Sequence, residues 1–171
     1  AIVVGGTLAF FTDNDKVDNT VTFGNVKITL TEPSYKGGAD DGTITEVVPN
    51  AVIPKDPTIT IQDGSNPCWI RAKVEVKWAD SNENISEKDK AELFTINDGW
   101  TTGENGYYYY NTALSTKGTT ETTLFDQVTI PAGWGNDYAN RNLEINVTAE
   151  ATQSENNGKT AQEATWGTAE Q

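Results

Sequence analysis

Two stretches of strict two-residue alternation constrain this chain more than any other feature. In residues 68–78, CWIRAKVEVKW, the side chains Cys68, Ile70, Ala72, Val74, Val76 and Trp78 alternate with Trp69, Arg71, Lys73, Glu75 and Lys77. In residues 142–152, Leu143, Ile145, Val147, Ala149 and Ala151 alternate with Asn142, Glu144, Asn146, Thr148 and Glu150. A period of two puts each apolar set on one face of an extended strand. Both segments therefore predict strands with one face in a core and the other in water.

Shorter segments agree. Residues 25–30 place Val26, Ile28 and Leu30 on one face, residues 58–61 continue the pattern after Pro57, and further strands are expected at 107–110 and 122–130. Turn chemistry separates them: Asp40-Asp41-Gly42, Asp63-Gly64-Ser65-Asn66-Pro67, Asn97-Asp98-Gly99 and Glu104-Asn105-Gly106 supply residues that tolerate or preset a turn conformation. The one helix expected is residues 86–94, SEKDKAELF, where Ser86 can cap the first turn and acidic side chains sit near the positive end of the dipole. No repeat of about 20–50 residues is visible, which sets aside solenoids and propellers. At 171 residues the chain suits a single domain able to bury a sizeable core. The expectation is an all-β sandwich over residues 13–171, preceded by an apolar N-terminal strand over residues 1–12.

Charge narrows the partners. With 25 acidic and 12 basic residues the formal charge is −13, which argues against nucleic acid and anionic membrane, both of which reward clustered Lys and Arg. No apolar run reaches the ~18 residues that a membrane-spanning helix needs.

The chemistry is mostly a record of absences. There is no histidine, which removes the usual general base and the HExxH zinc motif. No P-loop or dinucleotide fingerprint is present, so no cofactor is expected. The single Cys68 has no intramolecular disulfide partner and reads as a small buried apolar side chain. Residues 13–19, DNDKVDN, lack the glycine and glutamate that a calcium loop needs at its sixth and twelfth positions, so they read as a solvated turn. No catalytic residue and no metal ligand is assigned.

Two aromatic features and one apolar feature remain. Tyr107, Tyr108, Tyr109 and Tyr110 predict a strand with aromatic rings on both faces, one packed in the core and one at a sheet or subunit contact, with a stacking platform for sugars or bases as the alternative, and Trp69 is a second candidate surface aromatic. The opening AIVVGGTLAFF carries no charge, and as an extended segment it puts Ile2, Val4, Leu8 and Phe10 on one face and Val3, Ala9 and Phe11 on the other. Both faces call for burial. Eleven extended residues span about 36 Å, the length of a sandwich.

Residues 5–33, GGTLAFFTDNDKVDNTVTFGNVKITLTEP, strongly resemble the start of proteins in the TasA/camelysin family, exported biofilm-fibre proteins of Gram-positive bacteria. The likeness continues through Ile53-Pro54-Lys55-Asp56-Pro57-Thr58, the strand at 68–74, the GYYYYN stretch at 106–111 and LEINVTAEA at 143–151. Cys68 and Trp69 depart from the family's usual residues, and the tail after Gln153 has no alignable pattern. The resemblance implies a secreted jelly-roll-like β-sandwich that polymerises head-to-tail. An N-terminal strand containing Ile2, Val3, Val4, Leu8, Ala9, Phe10 and Phe11 would be donated to the next subunit. The implied partner is a second copy of the chain, with other matrix components as further partners. Two alternatives stand beside this reading. One is a monomeric cell-surface binding module using Trp69 or Tyr107 to Tyr110; the other is a camelysin-type metallopeptidase, for which any metal would have to sit on carboxylates.

Overall fold

A computed structural model describes residues 20–35, 49–78, 81–135 and 143–167. These residues are all-β apart from one short helix. The proposed donor residues Ile2, Val3, Val4, Leu8, Ala9, Phe10 and Phe11, the turn at 40–42 and the solvated turn at 13–19 lie outside the described residues.

The strands in chain order are β1 (Thr20–Phe23), β2 (Ile28–Thr31), β3 (Val52–Pro54), β4 (Thr58–Ile61), β5 (Cys68–Trp78), β6 (Glu83–Asn84), β7 (Trp100–Thr102), β8 (Tyr107–Tyr110), β9 (Glu121–Thr123), β10 (Gln127–Thr129) and β11 (Leu143–Gln153). The helix α1 (Glu87–Leu93) lies between β6 and β7, and Ser86 Oγ accepts from the Asp89 amide as the expected cap. A large sheet runs β1-β11-β5-β8-β7, with β6 paired to the end of β5. Its spine is the antiparallel pair β5 and β11, the two alternating segments, in register from Cys68 opposite Gln153 to Trp78 opposite Leu143. The remaining strands form a three-stranded sheet, β2-β4-β9, and a two-stranded one, β10-β3.

One apolar cluster draws on all three sheets, as in the sandwich class. Ile70, Ala72, Val74, Ile145, Val147 and Ala149 enter it from the large sheet, Ile28, Ile59 and Ile61 from the three-stranded sheet, and Ile53 and Val128 from the two-stranded one. Phe94, just after α1, stacks on Phe125 with ring centres 4.5 Å apart.

The expected strand at 122–130 is divided. β9 pairs with β4 and β10 with β3, and the break falls at Leu124 and Phe125, both fully buried. Consecutive residues of a strand point to opposite faces, so the chain must bend for both to enter the core.

A buried ion pair ties the small sheets together. Glu32, just after β2, lies 2.7 Å from Lys55, just after β3, with the side chains only 9% and 3% exposed. The Lys55 ammonium also sits 4.8 Å from the centre of the Tyr35 ring. Beside it, the Ser34 amide donates to Asp56 Oδ1 at 2.8 Å, and the Thr58 hydroxyl donates to the Asp56 carbonyl at 2.9 Å. The TEP and KDPT segments, distant in sequence, are two halves of one clamp.

Cys68 is free and fully buried, and burial pushes its thiol up to about 12. The unfolded thiol ionises near its ordinary value of 9.0, so the unfolded state loses a proton that the folded state keeps. Stability is unaffected below that value and falls as pH rises from about 9 towards 12. Replacing Cys68 with alanine should make the fall of the urea-denaturation midpoint shallower over that window, the remaining pH dependence coming from the raised Tyr107 and Tyr108 and, with opposite sign, from the lowered Lys90. In native protein near pH 8, iodoacetamide should modify Cys68 at least about 100-fold more slowly than in urea.

Candidate functional site

The outer face of the large sheet was expected to be wet, and around Trp69, Glu150 and Thr152 it is not. Residues 154–167 return across it as a strap. Asn157 organises the strap: its Nδ2 donates to the Gln153 carbonyl at 2.9 Å and the Thr165 carbonyl at 3.2 Å, and its Oδ1 accepts from the Thr165 amide at 2.7 Å. Ala161 is fully buried, and the Trp166 indole donates to its carbonyl at 3.0 Å.

Under the strap, strand register collects an aromatic and charged cluster. Arg71 on β5 stands opposite Glu150 on β11 and Tyr109 on β8. Its Nε and Nη2 donate to the two Glu150 oxygens, each at 3.1 Å, a fork that matches the planar guanidinium to the carboxylate. The guanidinium carbon lies 4.2 Å from the centre of the Tyr107 ring and 4.4 Å from that of Trp166. Tyr109 meets Trp166 edge-on at 6.4 Å.

Desolvation alone would lower the Arg71 guanidinium, but the bonds and charge of Glu150, helped by Tyr109, raise it above its ordinary value. Burial first, then the neighbouring Glu150 carboxylate, push the Tyr107 phenol up. Each charge in the cluster has its partner, so the arrangement can lock the strap in place. It offers no free general base or nucleophile. Among the described residues, no three His, Cys, Asp or Glu side chains gather as a metal site would require.

No protein-family model, curated protein or solved structure matches this chain.

The aromatic candidates therefore stand on geometry. Tyr107 and Tyr109 point to the outer face and stay half-buried. Tyr108 and Tyr110 turn inward: Tyr108 is in the core, and Tyr110 packs on Trp100 at 5.2 Å. Trp69 requires a correction, because it is 9% exposed and its indole donates to the Asn157 carbonyl at 2.8 Å. Its surface is taken up by the strap. Glu150 and Trp166 were not singled out from the sequence. A lone tryptophan in the otherwise polar tail SENNGKTAQEATWGTAEQ was the available signal.

Gly158 lets the strap turn. Its φ is +76°, and a β-carbon there would meet the backbone of Glu163 at 2.9 Å and of Ala164 at 3.0 Å. Gly158→Ala should destabilise the strap by more than about 1 kcal/mol. The effect should appear as faster limited proteolysis within residues 154–167 and a red shift of tryptophan emission.

Proposed function

We propose that this protein is a non-enzymatic structural subunit of an extracellular filament, secreted to the cell surface or biofilm matrix of a Gram-positive bacterium. Subunits join head-to-tail, each donating its N-terminal strand, with Ile2, Val3, Val4, Leu8, Ala9, Phe10 and Phe11, to a neighbour of jelly-roll-like fold. The observation that carries the reading is the uncharged opening segment, apolar on both faces, at the head of an all-β domain. Such a strand gains main-chain hydrogen bonds and side-chain pockets by joining a sheet edge. Burying about six large side chains at about 1.5–3 kcal/mol each outweighs a substantial part of the cost of association. A head-to-tail contact that does not close makes a filament. The resemblance to TasA/camelysin proteins supports the same assignment, and among the described residues the two short sheets have strand edges to which a further strand could add.

Deleting residues 1–11 and imaging the purified protein by negative-stain microscopy tests this. The truncated chain should keep its β circular-dichroism spectrum and form no filaments. Filaments of normal length from the truncated protein would end the proposal.

A second reading, a monomeric surface-binding module, is favoured by the half-buried Tyr107, Tyr109 and Trp166 rings gathered on one face. Size-exclusion chromatography of the native chain separates the two, since a module elutes as a monomer at every concentration.

A further inference from the structure

Among the described residues two lysines are buried, and their surroundings differ. Lys55 has Glu32 at 2.7 Å. Lys90, in the last turn of α1, is 6% exposed, yet among the described residues its ammonium has neither an ion pair nor a hydrogen-bond acceptor. Its recorded neighbour is the Tyr108 ring, 5.7 Å away at the centre. A buried ammonium with no contacting counter-ion is unfavourable, and the nearby Glu87 and Glu75 charges offset only part of its burial. Here it borders an open cleft of ≈ 710 Å³, walled by β5, β6, α1 and the turn between β7 and β8.

We infer that this cleft binds a small sugar acid, with Lys90 receiving its single carboxylate. The remaining wall suits hydroxyls: Asn84, Thr102, Glu104 and Asn105 carry donors and acceptors around the cleft. Lys73, also on the wall, has Glu75 at 3.4 Å and is partly hydrated, whereas Lys90 is buried with no carboxylate at ion-pair distance among the described residues. Gly106 keeps space open beside it, since a β-carbon there would lie 3.5 Å from the Lys90 ammonium and 3.3 Å from the Val74 carbonyl. The φ of Gly106 is +79°, so the position disfavours any side chain. Glu87 and Glu104 on the wall, and the net charge of −13, oppose a polyanion and restrict the ligand to one carboxylate. This site is independent of polymerisation.

Isothermal titration calorimetry of the full chain with D-glucuronate, D-glucose and a tetraglutamate peptide tests the inference. D-glucuronate should bind saturably, and both D-glucose and the peptide should bind at least about tenfold more weakly, because the neutral sugar lacks the charge-assisted bond. Lys90→Met, close in length and uncharged, should weaken D-glucuronate by about tenfold or more.

A pH series on the wild type gives a second readout that does not depend on the variant's folding. Burial lowers the Lys90 amine below its ordinary value, opposed by Glu87 on α1 and Glu75 on β5 and reinforced by Lys73 on β5, with the Tyr108 phenol facing it from β8. Affinity should therefore decline before the ordinary lysine value of 10.5 is reached. Absence of saturable D-glucuronate binding, equal affinity of folded Lys90→Met, equal binding of D-glucose, tighter binding of the peptide, or a wild-type affinity flat up to that pH would each overturn the assignment.

Discussion

Lys55→Ala should lower the stability of the domain by about 3–5 kcal/mol, the range for breaking a buried ion pair by removing one partner. The magnitude follows from what is left behind. Glu32 is only 9% exposed at its side chain, and without the ammonium its charge stays in a poorly solvated place. The Tyr35 ring loses its cation as well. Local effects add to this, because the Ser34 and Thr58 bonds to Asp56 belong to the same clamp.

Urea denaturation provides the measurement, with a shifted midpoint and an unchanged slope expected. The exposed pair Lys73–Glu75, 3.4 Å apart with side chains 36% and 56% exposed, is the internal control. Removing Lys73 should change stability by no more than about 0.5 kcal/mol. A Lys55→Ala loss as small as that of the control would show that the clamp does not hold the small sheets together.

Arg71→Met should have the next largest effect, a loss of about 3 kcal/mol, and it should act mainly on the strap. Methionine can occupy the space between Tyr107 and Trp166, so packing is largely retained. What disappears is the fork to Glu150, which is 7% exposed and would keep an unpaired charge beneath residues 154–167. Arg71→Lys separates geometry from charge. An ammonium supplies the charge but cannot present two parallel donors or a planar face to two rings, so this variant should recover only part of the loss.

Trp69 and Trp166 report the change directly, since both indoles donate hydrogen bonds to strap carbonyls. Arg71→Met should red-shift their emission and expose residues 154–167 to protease before global unfolding. An unaltered cleavage pattern would place the anchor of the strap elsewhere, with Asn157 the next residue to replace.

The two alternating segments became the paired spine of the large sheet, and the short acidic stretch after Ser86 became α1, because these signals are local. Side-chain period, capping hydroxyls and turn residues act over a few positions and survive in any tertiary context that buries one face. The tyrosine run was legible as a strand with rings on both faces, but four identical residues carry no parity, so the folded chain alone set Tyr108 inward and Tyr109 outward. The division of residues 122–130 was foreshadowed by Leu124 and Phe125, two adjacent large apolar residues that no single strand face can hold. A reading based on β propensity alone passed over it.

Sequence alone thus determined β2, β4, β5, β8 and β11, the apolar face of the two long strands, and that histidine chemistry is excluded, while β1, β3, β6 and β7 were too short to show a pattern. Tertiary structure decided which polar residues on the outer faces meet water. Trp69 and Arg71 alternate as solvent residues should, yet a distant segment returns over them, and no local period encodes where a strap lands. The same holds for charge: Lys55 and Lys90 look alike along the chain, but one meets Glu32 across two sheets and the other faces a cleft. Pairing energies in a poorly solvated interior depend on distances of a few ångströms between residues far apart in sequence, and only the folded chain sets those distances.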